Sequence, residues 1–106
     1  MEYSIEVIRE LATQNRIKWN SHAVQRMLQR SISRKQVLDS LRCGEIIEEY
    51  PEDYPYPSCL ILGMLPEGFP LHVICSVGQG YLWIITVYKP DEYKWCSDFK
   101  SRKDVK

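Results

Sequence analysis

Long apolar runs are missing from this 106-residue chain. No segment approaches the roughly eighteen consecutive apolar residues a helical membrane span needs, so no membrane partner is expected. The opening residues, with Glu2, Glu6 and Glu10, lack the basic start of a secretory signal peptide, and a cytoplasmic location is expected. Net charge is absent as well: 14 Lys and Arg stand against 14 Asp and Glu, which argues against a protein that holds nucleic acid by bulk electrostatics. The four cysteines, Cys43, Cys59, Cys75 and Cys96, form no Cys-x-x-Cys pair, and they are expected as reduced, buried small hydrophobes. His72 and Cys75 resemble a ligand pair only in one dimension, since strand positions three apart point to opposite faces. Neither a metal nor another cofactor is expected.

What is present is ordinary globular composition, 44% hydrophobic and 26% charged, in a length that supports one domain over residues 1–106 with one core. The charge is unevenly placed. From Arg16 to Arg42 there are seven bases and one acid, Asp39, whereas Glu45 to Asp53 holds five acids and no base. Such neighbouring patches hold a polyanion, dock a charged partner, or merely form two solvated surfaces.

Hydrophobic periodicity divides the chain into helices followed by strands. Residues 4–15 read as an amphipathic helix behind Ser4. Arg16–Trp19 alternates and suits a short extended segment. Asn20 or Ser21 caps the next helix, and Ser33-Arg34-Lys35-Gln36 forms a capping box for a third that stops at Gly44. Strands are expected over Glu45–Tyr50, Ser58–Met64, Leu71–Val77 and Tyr81–Lys89, with a proline-dense loop over residues 51–57. Gly78-Gln79-Gly80 suits a hairpin connection, and the charged end from Lys100 is expected to fray. The fold class is therefore α+β, with N-terminal helices on one face of a twisted antiparallel sheet of about four strands.

Two arrangements carry candidate chemistry. His22, Arg26 and Arg30 recur at four-residue steps and share a helix face, with Ala23, Val24, Met27 and Leu28 expected on the core side. A histidine flanked by two guanidiniums suits a phosphate. On the sheet, pairing Val77 with Tyr81 sets Cys75 against Trp83, Val73 against Ile85 and Leu71 against Val87 under the helices. His72 then lies on the other face, opposite Thr86, with Tyr88 one step along; a bulge in the turn would flip one strand.

Several strings carry a resemblance: Trp19-Asn20-Ser21-His22-Ala23, Arg26-Met27, Arg30-Ser31-Ile32-Ser33, Gly44-Glu45-Ile46-Ile47-Glu48, Pro70-Leu71-His72-Val73 and Ile85-Thr86-Val87-Tyr88-Lys89-Pro90, with Trp95 and Arg102-Lys103 near the end. Together, over residues 17 to 103, they resemble the bacterial family known as domain of unknown function 4258. That resemblance implies a RelE-like or barnase-like small ribonuclease fold and a toxin-type endoribonuclease that cleaves RNA, free or on the ribosome, without a metal. It also implies a cognate antitoxin-like protein as partner. The positions matching in chemical type are His22, Arg26, Arg30, His72 and Tyr88. The strongly basic composition common in RelE-type toxins is missing here.

Metal-free RNA cleavage needs a base for the 2′-hydroxyl, an acid for the leaving oxygen and cations for the phosphorane charge. His72, His22 and Tyr88 are the catalytic candidates, and Arg26, Arg30 and Lys89 the phosphate and RNA contacts. Each has a plainer alternative. His72 suits a core histidine bonded to Thr86 or the backbone, His22 a helix-start residue assisting the cap, and Tyr88 a packing residue of the sheet. Arg26 and Arg30 suit a solvated stripe or salt-bridge partners of the acidic segment. Tyr50, Tyr54 and Tyr56 fit a rigid loop better than base stacking, because the neighbouring acids repel a phosphate backbone. A non-catalytic interaction module and a nucleic-acid-binding regulator remain the rival functions.

Overall fold

A computed structural model describes residues 4–103. The elements run α1 (Ile5–Thr13), β1 (Ile17–Trp19), α2 (Ser21–Gln29), α3 (Arg34–Cys43), β2 (Glu45–Tyr50), β3 (Ser58–Met64), β4 (Pro70–Gly78) and β5 (Tyr81–Tyr88). Local chemistry sets the helix starts. The Asn20 side chain accepts the Ala23 amide at 2.6 Å to open α2. Ser33 and Gln36 form a reciprocal capping box at α3, satisfying two amides that a helix start otherwise leaves unpaired. Ser4 precedes α1 with no side-chain cap bond.

The α+β layout is as expected, but the sheet has five strands in the order β1-β5-β4-β3-β2. The extra strand is the alternating segment Ile17–Trp19, which pairs parallel to β5 while the remaining neighbours are antiparallel. The helices bury Ile8, Ala23, Met27, Val37 and Leu41 against one sheet face. Arg9 ties α1 to the end of α3, donating to the Leu41 carbonyl at 3.2 Å and the Gly44 carbonyl at 2.6 Å, where the last carbonyls of a helix lack internal partners.

The hairpin register differs from expectation. Gln79 and Gly80 both have positive φ, 54° and 78°, and form a two-residue turn whose twist matches the strands. Gly78 therefore pairs with Tyr81, and Val77 with Leu82. The one-residue slip moves Leu82 and Ile84 into the core and sends Trp83 to the other face. A bulge then leaves Ile85 without a partner across the ladder, and Val87 returns to the core face, opposite Val73 rather than Leu71. His72 keeps the face assigned to it, but it stands opposite Tyr88 rather than Thr86. Cys75 lies in the core under the helices, so it and His72 do point apart.

Three smaller expectations are also corrected. Leu28 is 77% exposed, because it lies a full 100° step beyond Met27 on the helix; Ile32, just past α2, is buried in that core instead. Cys43 is exposed and Cys96 half-buried, while Cys59 and Cys75 are buried with sulfurs 3.9 Å apart. The end of the chain from Lys100 to Lys103 is held rather than frayed; residues 104–106 lie outside the described residues. Residues 91–103 form a strap over the second sheet face, closed on itself by the Trp95–Arg102 bridge and pinned by Lys100 to Glu45 at 2.6 Å and Arg102 to Glu48 at 2.9 Å. Among the described residues the acidic strand thus pairs with the strap, not with Arg26 or Arg30.

The α3–sheet contact is made at backbone distance. A Cβ on Gly63 would fall 2.5 Å from the Cα and Cβ of buried Ser40, and one on Gly44 would strike the Ser40 and Leu62 carbonyls. Gly63→Ala is expected to cost about 1–3 kcal/mol by overpacking. Thermal and denaturant unfolding measure it, and an unchanged midpoint would show that α3 can back away.

Candidate functional site: a cationic cleft over a buried histidine

His72 on β4 and Tyr88 on β5 are register partners on the sheet face under the strap. The His72 ring is fully buried. Its Nε2 lies 2.9 Å from the Phe99 carbonyl and its Nδ1 3.2 Å from the Tyr88 hydroxyl. A carbonyl only accepts, so Nε2 carries the proton and Nδ1 accepts from Tyr88. The Trp95 ring meets the imidazole edge-on at 4.6 Å. Burial pulls the His72 pKa below its ordinary value, opposed by the Phe99 carbonyl and the Glu48 charge, and burial pushes that of Tyr88 up.

Beside this pair, Arg102 grips both Glu48 carboxylate oxygens through Nε and Nη2, at 2.9 and 3.0 Å, and holds the carboxyl below the usual carboxylate range. The Tyr50 hydroxyl donates to Glu48 at 2.6 Å. Burial first, and then the Glu48 carboxylate, push the Tyr50 pKa up to about 12.

Tyr88 and Trp95 lead from this layer into a cleft of about 470 Å³ whose other walls include Arg30, Lys89, Lys94 and Arg102, against one acid, Asp91. Arg30 arrives from the C-cap of α2 and donates to the Val87 carbonyl at 2.9 Å. The helix geometry explains its reach: each four-residue step rotates the stripe by about 40°, carrying it from solvent at His22 round to the sheet at Arg30. Lys89 lies over the Phe69 ring at 4.5 Å and Arg102 over Trp95 at 4.6 Å.

Of the residues expected from sequence, Arg30, Tyr88 and Lys89 line the cleft and His72 stands behind Tyr88. His22 and Arg26 are not among the lining residues. They face one another on α2, Arg26 Nε lying 3.4 Å from His22 Nε2, and His22 starts about 12 Å along the helix from Arg30 at 1.5 Å per residue. Chemical reasoning from the sequence missed Glu48, Lys94, Trp95 and Arg102 as parts of this site. Their signal was compositional: an acidic strand followed, much later in the chain, by a basic tail containing a tryptophan.

The arrangement can hold an anion, and it can move a proton. A group that gives a proton to the Tyr88 oxygen allows the Tyr88 proton to pass to Nδ1 of His72. The fold and the cleft define a small α+β domain with a pocket of mostly basic lining at one end of its sheet. The family model described as domain of unknown function (DUF4258) matches residues 19–89, and the chain belongs to that family. The matched region contains His72, Tyr88 and Arg30, and it ends before the strap. No curated protein matches the chain, and no solved structure does.

Because folded His72 binds a proton less readily than the unfolded residue, its contribution to stability is complete above the ordinary histidine pKa of about 6.5 and declines as pH falls below it. Glu48, also lowered, adds a further loss at more acid pH. The melting temperature is expected to fall between pH 7.5 and 5.5, and His72→Gln should flatten that slope while lowering stability at pH 7.5. An equally steep slope in the variant would contradict the assignment.

Proposed function

We propose that the protein is a small cytoplasmic endoribonuclease of toxin type, restrained by a cognate antitoxin-like protein, with a likeness to RelE-type enzymes. The observation that carries this reading is a cationic cleft with a tyrosine–histidine proton pair at its floor. Arg30, Lys89 and Lys94 take the scissile phosphate, and Arg30 offers the planar donor edge that suits it. The Tyr88 oxygen accepts the 2′-hydroxyl proton as its own proton passes to His72 Nδ1. The 2′-oxygen then attacks phosphorus as the P–O5′ bond breaks; the cationic lining stabilises the phosphorane, and the Lys94 ammonium gives its proton to the departing 5′-oxygen. Trp95 offers an aromatic wall beside the phosphate. His22 and Arg26 become flanking RNA contacts on α2 rather than participants in the chemistry.

One observation favours a second reading. Both nitrogens of His72 are engaged within the protein and the ring is buried, as in a histidine that fixes a fold. The same cleft would then bind RNA or a phosphorylated partner without turnover.

End-labelled RNA, free and on ribosomes, with and without EDTA, separates the two. The enzyme reading expects EDTA-resistant cleavage that drops about 10²-fold or more in Tyr88→Phe and also falls in Arg30→Ala. Salt-sensitive binding without cleavage assigns the module reading. Neither binding nor cleavage would remove both.

A further inference from the structure

Four aromatic rings of this protein have cations as neighbours. Tyr81 has Arg16 at 4.7 Å and Lys18 at 4.5 Å, Trp19 has Arg34 at 5.2 Å, and Phe69 and Trp95 have Lys89 and Arg102. Tyr56 and Trp83, stacked with ring centroids 6.5 Å apart and planes 29° from parallel, have no such neighbour among the described residues. They wall a groove of about 380 Å³, with Asp53, Tyr54 and Ile85 also in its lining. Trp83 is on the sheet face away from the helices.

The walls are built before any ligand arrives. Trp83 Nε1 donates to the Gly78 carbonyl at 3.0 Å, which fixes the indole. Tyr56 lies flat on Gly78, where a Cβ would come within 2.5 Å of its ring. Tyr54 is 95% exposed, a large aromatic left standing at the mouth. Asp53 accepts the Ser58 hydroxyl and makes no ion pair among the described residues.

Charge selects the ligand. No lysine or arginine occurs between Arg42 and Lys89, and the strap bases reach Glu45 and Glu48 instead. Lys18 is in register with Trp83 yet turns to Tyr81. The groove therefore offers aromatic rings and a carboxylate that have no cation beside them among the described residues. A nucleobase could stack there, but its phosphates would meet Asp53 and the adjacent Glu52.

We propose that this groove receives a lysine or arginine side chain from a basic segment of a partner protein, the cation seated against Tyr54, Tyr56 and Trp83 and paired with Asp53. This surface is separate from the cleft at Tyr88 and does not depend on the function proposed for it.

The test follows the indole N–H resonance of Trp83, assigned with Trp83→Phe, in ¹⁵N-labelled protein. The probes are a blocked glycine peptide carrying arginine and lysine, the same peptide with glutamates, and uridine. The basic peptide alone should move the resonance, more weakly at high salt. Tyr54→Ala and Asp53→Asn should each loosen its binding about twofold to fivefold, the usual scale of an exposed cation–π contact. Tyr54 stands at the surface and Asp53→Asn keeps an oxygen to accept the Ser58 hydroxyl, so the fold should be unaffected. No response to the basic peptide, binding indifferent to both substitutions, or a response to uridine alone would overturn the proposal.

Discussion

A buried imidazole must find a partner for each nitrogen or lose the free energy that burial of an unpaired polar group costs. His72 meets this requirement with one partner from its own sheet, the Tyr88 hydroxyl, and one from the strap, the Phe99 carbonyl. That pair of bonds joins the end of the chain to the second sheet face. Trp95 closes over the ring at 4% exposure, and Arg102, stacked on Trp95, reaches Glu48. Remove the imidazole and the strap loses both an acceptor's partner and an aromatic surface. The cleft goes with it, because Asp91, Lys94, Trp95 and Arg102, all on the strap, are four of its seven lining residues.

The neutral overall charge conceals a division that the fold puts to use. Basic residues of the helical segment reach the cleft through Arg30, and those of the tail reach it through Lys94 and Arg102. Two of the three acids of β2 hold the strap, Glu45 taking Lys100 and Glu48 taking Arg102. What remains is a cationic cleft at one end of β5 and an aromatic, acidic groove near the other. A polyanion and a basic protein segment suit these two surfaces respectively, and a chain of zero net charge can present both.

Much of this fold is legible in the sequence, and the failures are physical. The capping box at Ser33 and Gln36 locates α3 because two reciprocal bonds are written in four residues. The β2–β5 strands follow from alternation and from Gly and Pro at their ends. The register of β4 with β5 was not legible, because Gly78-Gln79-Gly80 permits a two- or a three-residue turn and the bulge at Ile85 leaves no compositional mark. His72 could be assigned to the face away from the helices despite that error, since its own strand alternates cleanly. The cleft was half legible. Arg30, Tyr88 and Lys89 are local in sequence to their elements, whereas Trp95 and Arg102 depend on a strap that folds back across the sheet, a contact no local pattern encodes. The stripe from His22 to Arg30 was read as one face, but its slow rotation separates its two ends into different surroundings.

The central claim is that His72 is a neutral, Nε2-protonated ring clamped between Tyr88 and the strap. ¹⁵N NMR of the His72 imidazole at pH 7 tests it most directly. The account predicts a protonated Nε2 and an unprotonated Nδ1 that accepts a hydrogen bond, with a ring that stays neutral to below the ordinary histidine pKa. A ring protonated at Nδ1, or one that titrates as a solvent-exposed histidine, would contradict it.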